Sequence, residues 1–321
     1  MNTAPAIADR VAWLARRRSR IGASDVAAIV GLSPWRSAVA LWLDKVGLLA
    51  DDDEDDAPAH LRLGRDLEPI IARWFHRETG LDVAGEQMEL TVAGEPWAGC
   101  TIDGLVLENL ASSCECSIDD ALGIFEAKYV AGPPWAEVPA HYLAQLQWAM
   151  WVSGLGRAWL ACLHLPFGRP RFKVYEVERD PADIELLSTR ARAFWYDHVL
   201  AGVMPPIDGS EATARALGAA WPDPTTIPAV DVAELRDVIH ELGVFKATRK
   251  LLDADIKAHE NRIKAMLGSQ TEGVIDGELV CSWRPQGRTD IDAAAVRAEF
   301  GTRFDRRSEY RVLRLHERKS A

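Results

Sequence analysis

Asp103, Glu126 and Lys128 are the residues whose types and spacing most directly suggest chemistry in this 321-residue chain. Asp103 ends a strand-like run after Thr101-Ile102, and Glu126 and Lys128 stand two apart in Ile124-Phe125-Glu126-Ala127-Lys128. In a strand, residues i and i+2 project from one face. Glu126 and Lys128 therefore point together, while Phe125 and Ala127 point to the other, apolar side. A carboxylate and an ammonium are costly to bury on such a strand unless each has a partner. A third carboxylate, Glu68, lies on or at the edge of the stripe Leu67, Ile71 and Trp74. Three carboxylates and a lysine suit phosphodiester hydrolysis. Oxygen ligands favour Mg²⁺ or Mn²⁺. One ion can activate a water and a second can stabilise the leaving oxygen, and a lysine can orient the water or offset charge on the phosphate. The pattern Asp…Glu-x-Lys is short and common by itself, and an Asp turn beside a Glu–Lys pair on a half-exposed strand is the plain alternative.

The elements that must hold these residues can be read around them. Apolar positions at helical spacing predict a helix over 61–79, with Gly80 placed as its C-cap. Residues 86–92 and 98–107 alternate like paired strands, 108–121 read as a hairpin connection, and Gly123 to Val130 reads as a strand. A helix over 139–153 follows, then strands over 159–165 and 172–177 and a helix over 181–203. Upstream, a short helix over 8–17 ends in Arg16, Arg17, Arg18 and Arg20, and Ser24 or Asp25 is a candidate N-cap for the next helix. A further helix is expected over 37–46. This order predicts an α/β or α+β core with a central mixed sheet flanked by helices.

Prolines and glycines from Pro205 to Pro228 mark a connecting stretch. The expected organisation is a core domain over 1–205, a linker over 206–230, and an extension over 231–321. In the extension Leu235, Val238, Leu242, Phe245, Leu252, Ile256, Ile263 and Met266 recur in steps of three and four, broken at Arg249 and His259. That predicts a long helix with a coiled-coil-like stripe, either packed on the chain's own core or offered to a partner helix. Asp276-Gly277 predicts a β-hairpin turn.

The formal net charge is −11. Residues 1–230 carry 20 Lys/Arg against 32 Asp/Glu, and residues 231–321 carry 17 against 16. That excludes a globally basic nucleic-acid binder, so DNA contact would need a local basic track or metal ions offsetting carboxylates. The acidic run Asp51 to Asp56 reads as a solvated loop. Arginines from Arg303 to Arg318 would contact phosphates or pair with the acidic first domain. Five cysteines without C-x-x-C spacing give no disulfide framework or zinc site. With no signal peptide and no 18-residue apolar run, a cytoplasmic setting is expected. Trp35, after Pro34 in a surface turn, either stacks on a base or packs against the Leu41–Trp42 helix.

Five segments in order resemble the phage-type recombination exonucleases, the YqaJ and lambda-exonuclease group of the restriction-endonuclease-like superfamily. They are Trp13 to Asp25, Gly31 to Gly47, Leu63 to Gly80, Trp97 to Lys128 and Tyr142 to Gly154. The likeness covers roughly residues 10–205. Ile102 departs from it, because that group usually has proline before the aspartate. The resemblance implies that Asp103 and Glu126 bind metal with the Ala127 carbonyl, that Glu68 completes the site, and that Lys128 acts on the nucleophilic water. It implies that one of Gln145 and Gln147, which point differently on their helix, reaches the site, with Gln145 preferred and Gln147 left as a DNA contact. It also implies that Arg17 and Ser24 hold a 5′ terminal phosphate, a task suited to an arginine fork and a hydroxyl near a helix start.

On that likeness the expected activity is Mg²⁺-dependent hydrolysis of double-stranded DNA from an end, 5′ to 3′, with two ions. A single-strand annealing protein would be its partner, and a homo-oligomeric ring is a further implication. A structure- or sequence-specific endonuclease of the same superfamily, or a non-catalytic DNA-end-binding protein, are the alternatives.

Overall fold

The strand marked most clearly by its residues, Gly123–Val130, is present with those bounds and forms the middle of the central sheet. The computed structural model describes residues 15–49, 59–109, 117–222, 230–287, 292–305, 313 and 315. The helix expected before residue 15, the acidic run 51–56, Cys114, Cys116, Pro224, Pro228, and Arg306, Arg307, Arg311, Arg314 and Arg318 lie outside the described residues. The chain separates into two compact units, Met1–Pro222 and Asp223–Ala321. No described helix is long and apolar enough to cross a membrane.

The first unit opens with helices α1 (Ala23–Ile29), α2 (Ala38–Lys45) and α3 (Ala59–Thr79). Strands β1 (Asp82–Ala84), β2 (Met88–Val92), β3 (Glu95–Ile102), β4 (Gly104–Leu107) and β5 (Gly123–Val130) follow. Then come α4 (Ala140–Ser153), β6 (Arg157–His164), β7 (Arg171–Glu178) and α5 (Pro181–Ala193), which continues as a π-helical segment over Phe194–Leu200. The central sheet has the order β1-β4-β5-β6-β7. Only β5 and β6 are parallel, and α4 makes the crossover between them. A mixed sheet flanked by helices, as the sequence led one to expect, is therefore the core. Strands β2 and β3 form a separate antiparallel ribbon.

Alternation along β5 sorts its side chains between two layers. Phe125 and Ala127 pack with Ile71 and Phe75 of α3, whereas Ile124 joins the larger cluster containing Leu146 and Trp148 of α4. Glu126 and Lys128 share the Ile124 side, so they project toward α4.

The run 98–107, which reads as one strand, is divided at Asp103. Ile102 pairs with Met88 in the ribbon, and Gly104 pairs with Phe125 in the central sheet. Asp103 is the single residue between the two sheets. Gly104 must be small there, because a Cβ would lie 2.6 Å from Val83 Cγ1 and 3.2 Å from the Ala84 carbonyl. Gly104→Ala should lower stability by about 1–3 kcal/mol through this overpacking, read as a lower midpoint in urea unfolding. An unchanged midpoint would show that β1 yields without cost.

Two expectations are corrected in this unit. Neither Ser24 nor Asp25 caps α1. Gly22 holds that position, and the Asp25 carboxylate accepts its N–H at 3.0 Å. The compact unit also runs past residue 205, because part of the stretch read as a linker over 206–230 is helix α6 (Glu211–Ala220). Ser210 caps it, accepting from Thr213 N at 3.1 Å, and the buried Thr213 hydroxyl stands 2.7 Å from Ser37 Oγ at the start of α2. Ala216 is buried as well. Flanking prolines and an alanine-rich sequence hide a helix whose contact face, Thr213, Ala216, Leu217 and Ala220, is mostly small.

In the second unit, α7 (Arg236–Leu267) is the expected long helix, followed by β8 (Glu272–Ile275), β9 (Glu278–Ser282) and α8 (Ala293–Phe300). No side chain of α7 is buried. Asp276 (φ 52°) and Gly277 (φ 84°) form the turn between β8 and β9, as Asp-Gly pairs do in tight hairpins.

Candidate active site

The break at Asp103 creates the centre of the site. In the β4–β5 register the residue that would face Ala127 is Ile102, which has left for the ribbon. The Asp103 carboxylate takes its place and accepts the Ala127 N–H at 2.9 Å. Its other oxygen accepts from Gln87 Nε2 at 3.3 Å, and the same nitrogen donates to Glu68 at 3.2 Å. Across the strand, Glu126 is 4% exposed and accepts from both Lys128 Nζ and Gln145 Nε2, the latter at 2.5 Å. Glu68, Asp103, Glu126, Lys128 and Gln145 therefore form one connected set.

Electrostatics follow from this crowding. Burial, and then the Asp103 charge, push the Glu68 carboxyl up to about 7. The same two causes push Glu126 up to about 7, even with Lys128 and Gln145 bonded to it. Burial alone pulls the Lys128 ammonium down, but the carboxylates of Glu126 and Asp103 outweigh it and hold the group above its ordinary value. Clustered carboxylates that resist ionising together are a common preparation for a cation.

Both carboxyls keep a proton in the folded chain at pH values where the unfolded chain, near 4.5, has lost it. The native state then binds more protons, so the contribution of these two groups to stability falls as pH rises from about 4.5 to about 7. The unfolding midpoint in EDTA, compared with that of Glu68→Gln/Glu126→Gln, should lose ground across that window and level beyond it. Mg²⁺ should raise the wild-type midpoint most at the alkaline end. A wild-type-minus-variant difference that is flat with pH would contradict this.

The donor chemistry fits a hard divalent cation: carboxylate oxygens with a backbone carbonyl at Ala127 beside them. The Gln87 amide, donating to Glu68 and Asp103 together, stands where a cation would make the same contacts. Among the described residues, however, no three His, Cys, Asp or Glu side chains are grouped closely enough to hold an ion as they stand.

A cavity of about 170 Å³ adjoins this centre and is lined by Arg17, Arg20, Ser24, Thr101 and Gln145. It joins the entry segment to the carboxylates, since Gln145 also bonds Glu126. The entry segment is docked on the ribbon: Ile21 N donates to the Trp97 carbonyl at 2.6 Å, and Gly99 N to the Ile21 carbonyl at 3.0 Å.

Gln147 is removed from the DNA-facing set. It is 3% exposed, donates to the Glu178 carbonyl at 2.8 Å and accepts from Asp180 N at 2.9 Å, tying α4 to the end of β7. Two residues along a helix turn a side chain by roughly 200°, so only one of the two glutamines can face β5. Trp35 does not pack into the α2 core, where Trp42 is buried with its Nε1 on the His198 carbonyl. It is 62% exposed and meets His141 and Tyr142 instead.

The family described as the YqaJ-like viral recombinase domain matches residues 12–156, which contain every residue of this connected set. Over that stretch the chain is similar to that family. The uncharacterised protein YqaJ of Bacillus subtilis (strain 168) is 29% identical over 293 residues, spanning 90% of this chain and 87% of that one. Among solved structures, the alkaline exonuclease LHK-Exo of Laribacter hongkongensis is 21% identical, covering 60% of this chain and 93% of that one with a TM-score of 0.44. A phage-related exonuclease from Haemophilus somnus 129PT is 14% identical, covering 57% and 96% with a TM-score of 0.41.

The first unit also holds contacts near the site that the sequence did not suggest. Gln87 bridges two carboxylates from a φ of 56°, an uncommon conformation for a residue with a side chain. Asp25 and Lys45 form a buried ion pair at 2.7 Å behind the Arg17–Ser24 segment. Each was legible as a charge in an otherwise apolar helix, Ala-Ser-Asp-Val-Ala-Ala-Ile and Ala-Val-Ala-Leu-Trp-Leu-Asp-Lys.

Proposed function

We propose that this chain is a metal-dependent deoxyribonuclease that digests double-stranded DNA from an end, 5′ to 3′, as a step in phage-type recombination. The observation that carries this reading is the continuity of the site. Gln145 belongs both to the Asp103–Glu126–Lys128 centre and to the cavity holding Arg17 and Ser24. A phosphodiester at the carboxylates would thus lie one short step from groups suited to a terminal phosphate.

Glu68, Asp103, Glu126 and the Ala127 carbonyl would hold Mg²⁺, or Mn²⁺ in its place, which when bound supplies an activated water and charge neutralisation. The chain's own residues do the rest. Asp103 fixes the Ala127 peptide through its N–H. Gln145 and Lys128 hold Glu126 at a fixed orientation. The Lys128 ammonium, kept charged by its carboxylate neighbours, is placed to offset charge developing on the phosphate. Arg17 and Ser24 would register the strand end.

The test is digestion of a linear, 5′-phosphorylated duplex and of a covalently closed circle, each with Mg²⁺ and with EDTA. Loss of the linear duplex alone, only with Mg²⁺, is expected. Cleavage of the closed circle would make the chain an endonuclease, and binding of ends without cleavage would make it a non-catalytic end binder. The proposed annealing-protein partner would receive the single strand that such digestion exposes.

A further inference from the structure

Trp35 is a large aromatic side chain held rigidly in water, which needs a reason. Pro34 restricts the turn, and Ser33 Oγ accepts the N–H groups of Trp35 (3.3 Å) and Arg36 (3.1 Å). The next residue, Arg36, is anchored to Asp25 at 3.2 Å and to Asp44. From below, the indole meets the edge of His141 at 4.8 Å and the tilted ring of Tyr142 at 6.3 Å. The backbone of the turn is thus tied down and the ring rests on two neighbours, so binding has less freedom left to take away.

Its location is as informative as its rigidity. Tyr142 lies 5.9 Å below Lys128 Nζ, measured to the ring centre. His141 and Tyr142 stand in the first turn of α4, one turn before Gln145. On the other side, Arg36 bonds Asp25, the neighbour of Ser24. His141 and Tyr142 thus share α4 with Gln145, and Trp35 sits in the turn that follows the helix of Ser24, so the aromatic group continues outward from Lys128 to an exposed indole face. His141 adds a buried Nε2 with no hydrogen-bond partner.

We propose that Trp35, backed by His141 and Tyr142, is a stacking platform for the base of the terminal nucleotide at a DNA end. This rests on the nuclease reading above. Every base has a π-face, so an indole accepts any of the four, as sequence-independent digestion requires. Stacking there holds the terminal base away from its pairing partner and leaves its phosphodiester on the Lys128 side.

The experiment pairs a protein change with a substrate change. Binding of a short duplex in EDTA, where no cleavage occurs, is measured with an intact end and with an end whose terminal nucleotide lacks its base. Trp35→Ala should weaken binding to the intact end on the order of 10-fold or more, while Trp35→Phe, which keeps a ring, should retain most of it. With the base absent, wild type and both variants should bind alike. Equal binding of all three to the intact end, or an equal loss by Trp35→Ala at both ends, would overturn the platform. Wild-type digestion with Mg²⁺ is read in parallel. A binding difference without digestion keeps the platform and discards the nuclease reading, and digestion with no difference does the reverse.

Discussion

Lys128→Ala should lower the rate of linear-duplex digestion by about 10²- to 10³-fold, the usual loss when one preorganised charge-stabilising group is removed from a site. The lysine makes contacts that nothing else replaces. Its ammonium bonds Glu126 and lies within reach of the Asp103 charge, and together these keep it protonated. Without it Glu126, already pushed up to about 7, has lost its only cationic bond partner and should protonate still more readily. The variant would thus fail twice, by losing the cation and by neutralising a carboxylate. Lys128→Arg separates the two effects. It keeps a positive charge beside Glu126 and should restore the pH dependence of unfolding, while the bulkier fork should leave digestion well below wild type. Single-turnover digestion at saturating Mg²⁺, with far-ultraviolet circular dichroism to show folding, is the measurement. A folded Lys128→Ala protein within about fivefold of wild type would remove Lys128 from the chemistry.

The centre was legible because its parts obey local rules. Glu126 and Lys128 share a strand face by the period of two, and the apolar residues alternating with them mark the opposite face as a packed one. Glu68 was found from helical spacing alone. What the sequence hid is non-local. Nothing in Thr101-Ile102-Asp103-Gly104 says that the chain changes sheets there, yet that change frees the Ala127 N–H for Asp103. Gln145 and Gln147 are chemically identical, and only the docking of α4 on β5 sends one to Glu126 and the other to Glu178. Trp35 carried no sign of whether water or the core would hold it, because its neighbours His141 and Tyr142 come from an element a hundred residues away. Helix α6 was missed for a related reason. Its face on the core is Thr213, Ala216, Leu217 and Ala220, at helical spacing but with one polar and two small residues, too faint to stand out as an apolar stripe.

Lys45→Met should lower the stability of the first unit by about 3–5 kcal/mol. The Lys45 side chain is 0% exposed and its ammonium lies 2.7 Å from Asp25 Oδ2 and 2.7 Å from the Arg17 carbonyl. Burial would raise the Asp25 carboxyl, yet Lys45 and Arg36 overcome it and hold that group below its ordinary value. Methionine fills the volume but leaves the Asp25 charge with Arg36 and the Gly22 N–H alone. For a unit of this size the loss corresponds to a fall in melting midpoint on the order of 10 °C. Lys45→Met/Asp25→Leu, which removes both charges, should recover part of that loss, because an apolar pair of similar volume avoids the desolvation of an unpaired ion. The pair also fixes the backbone at Arg17 from behind. Below its melting range, Lys45→Met should therefore lose preference for 5′-phosphorylated over 5′-hydroxyl ends while still digesting both. A variant whose midpoint stays within 2 °C of wild type, or whose end preference is unchanged, would show that the cavity holds its shape without this clamp.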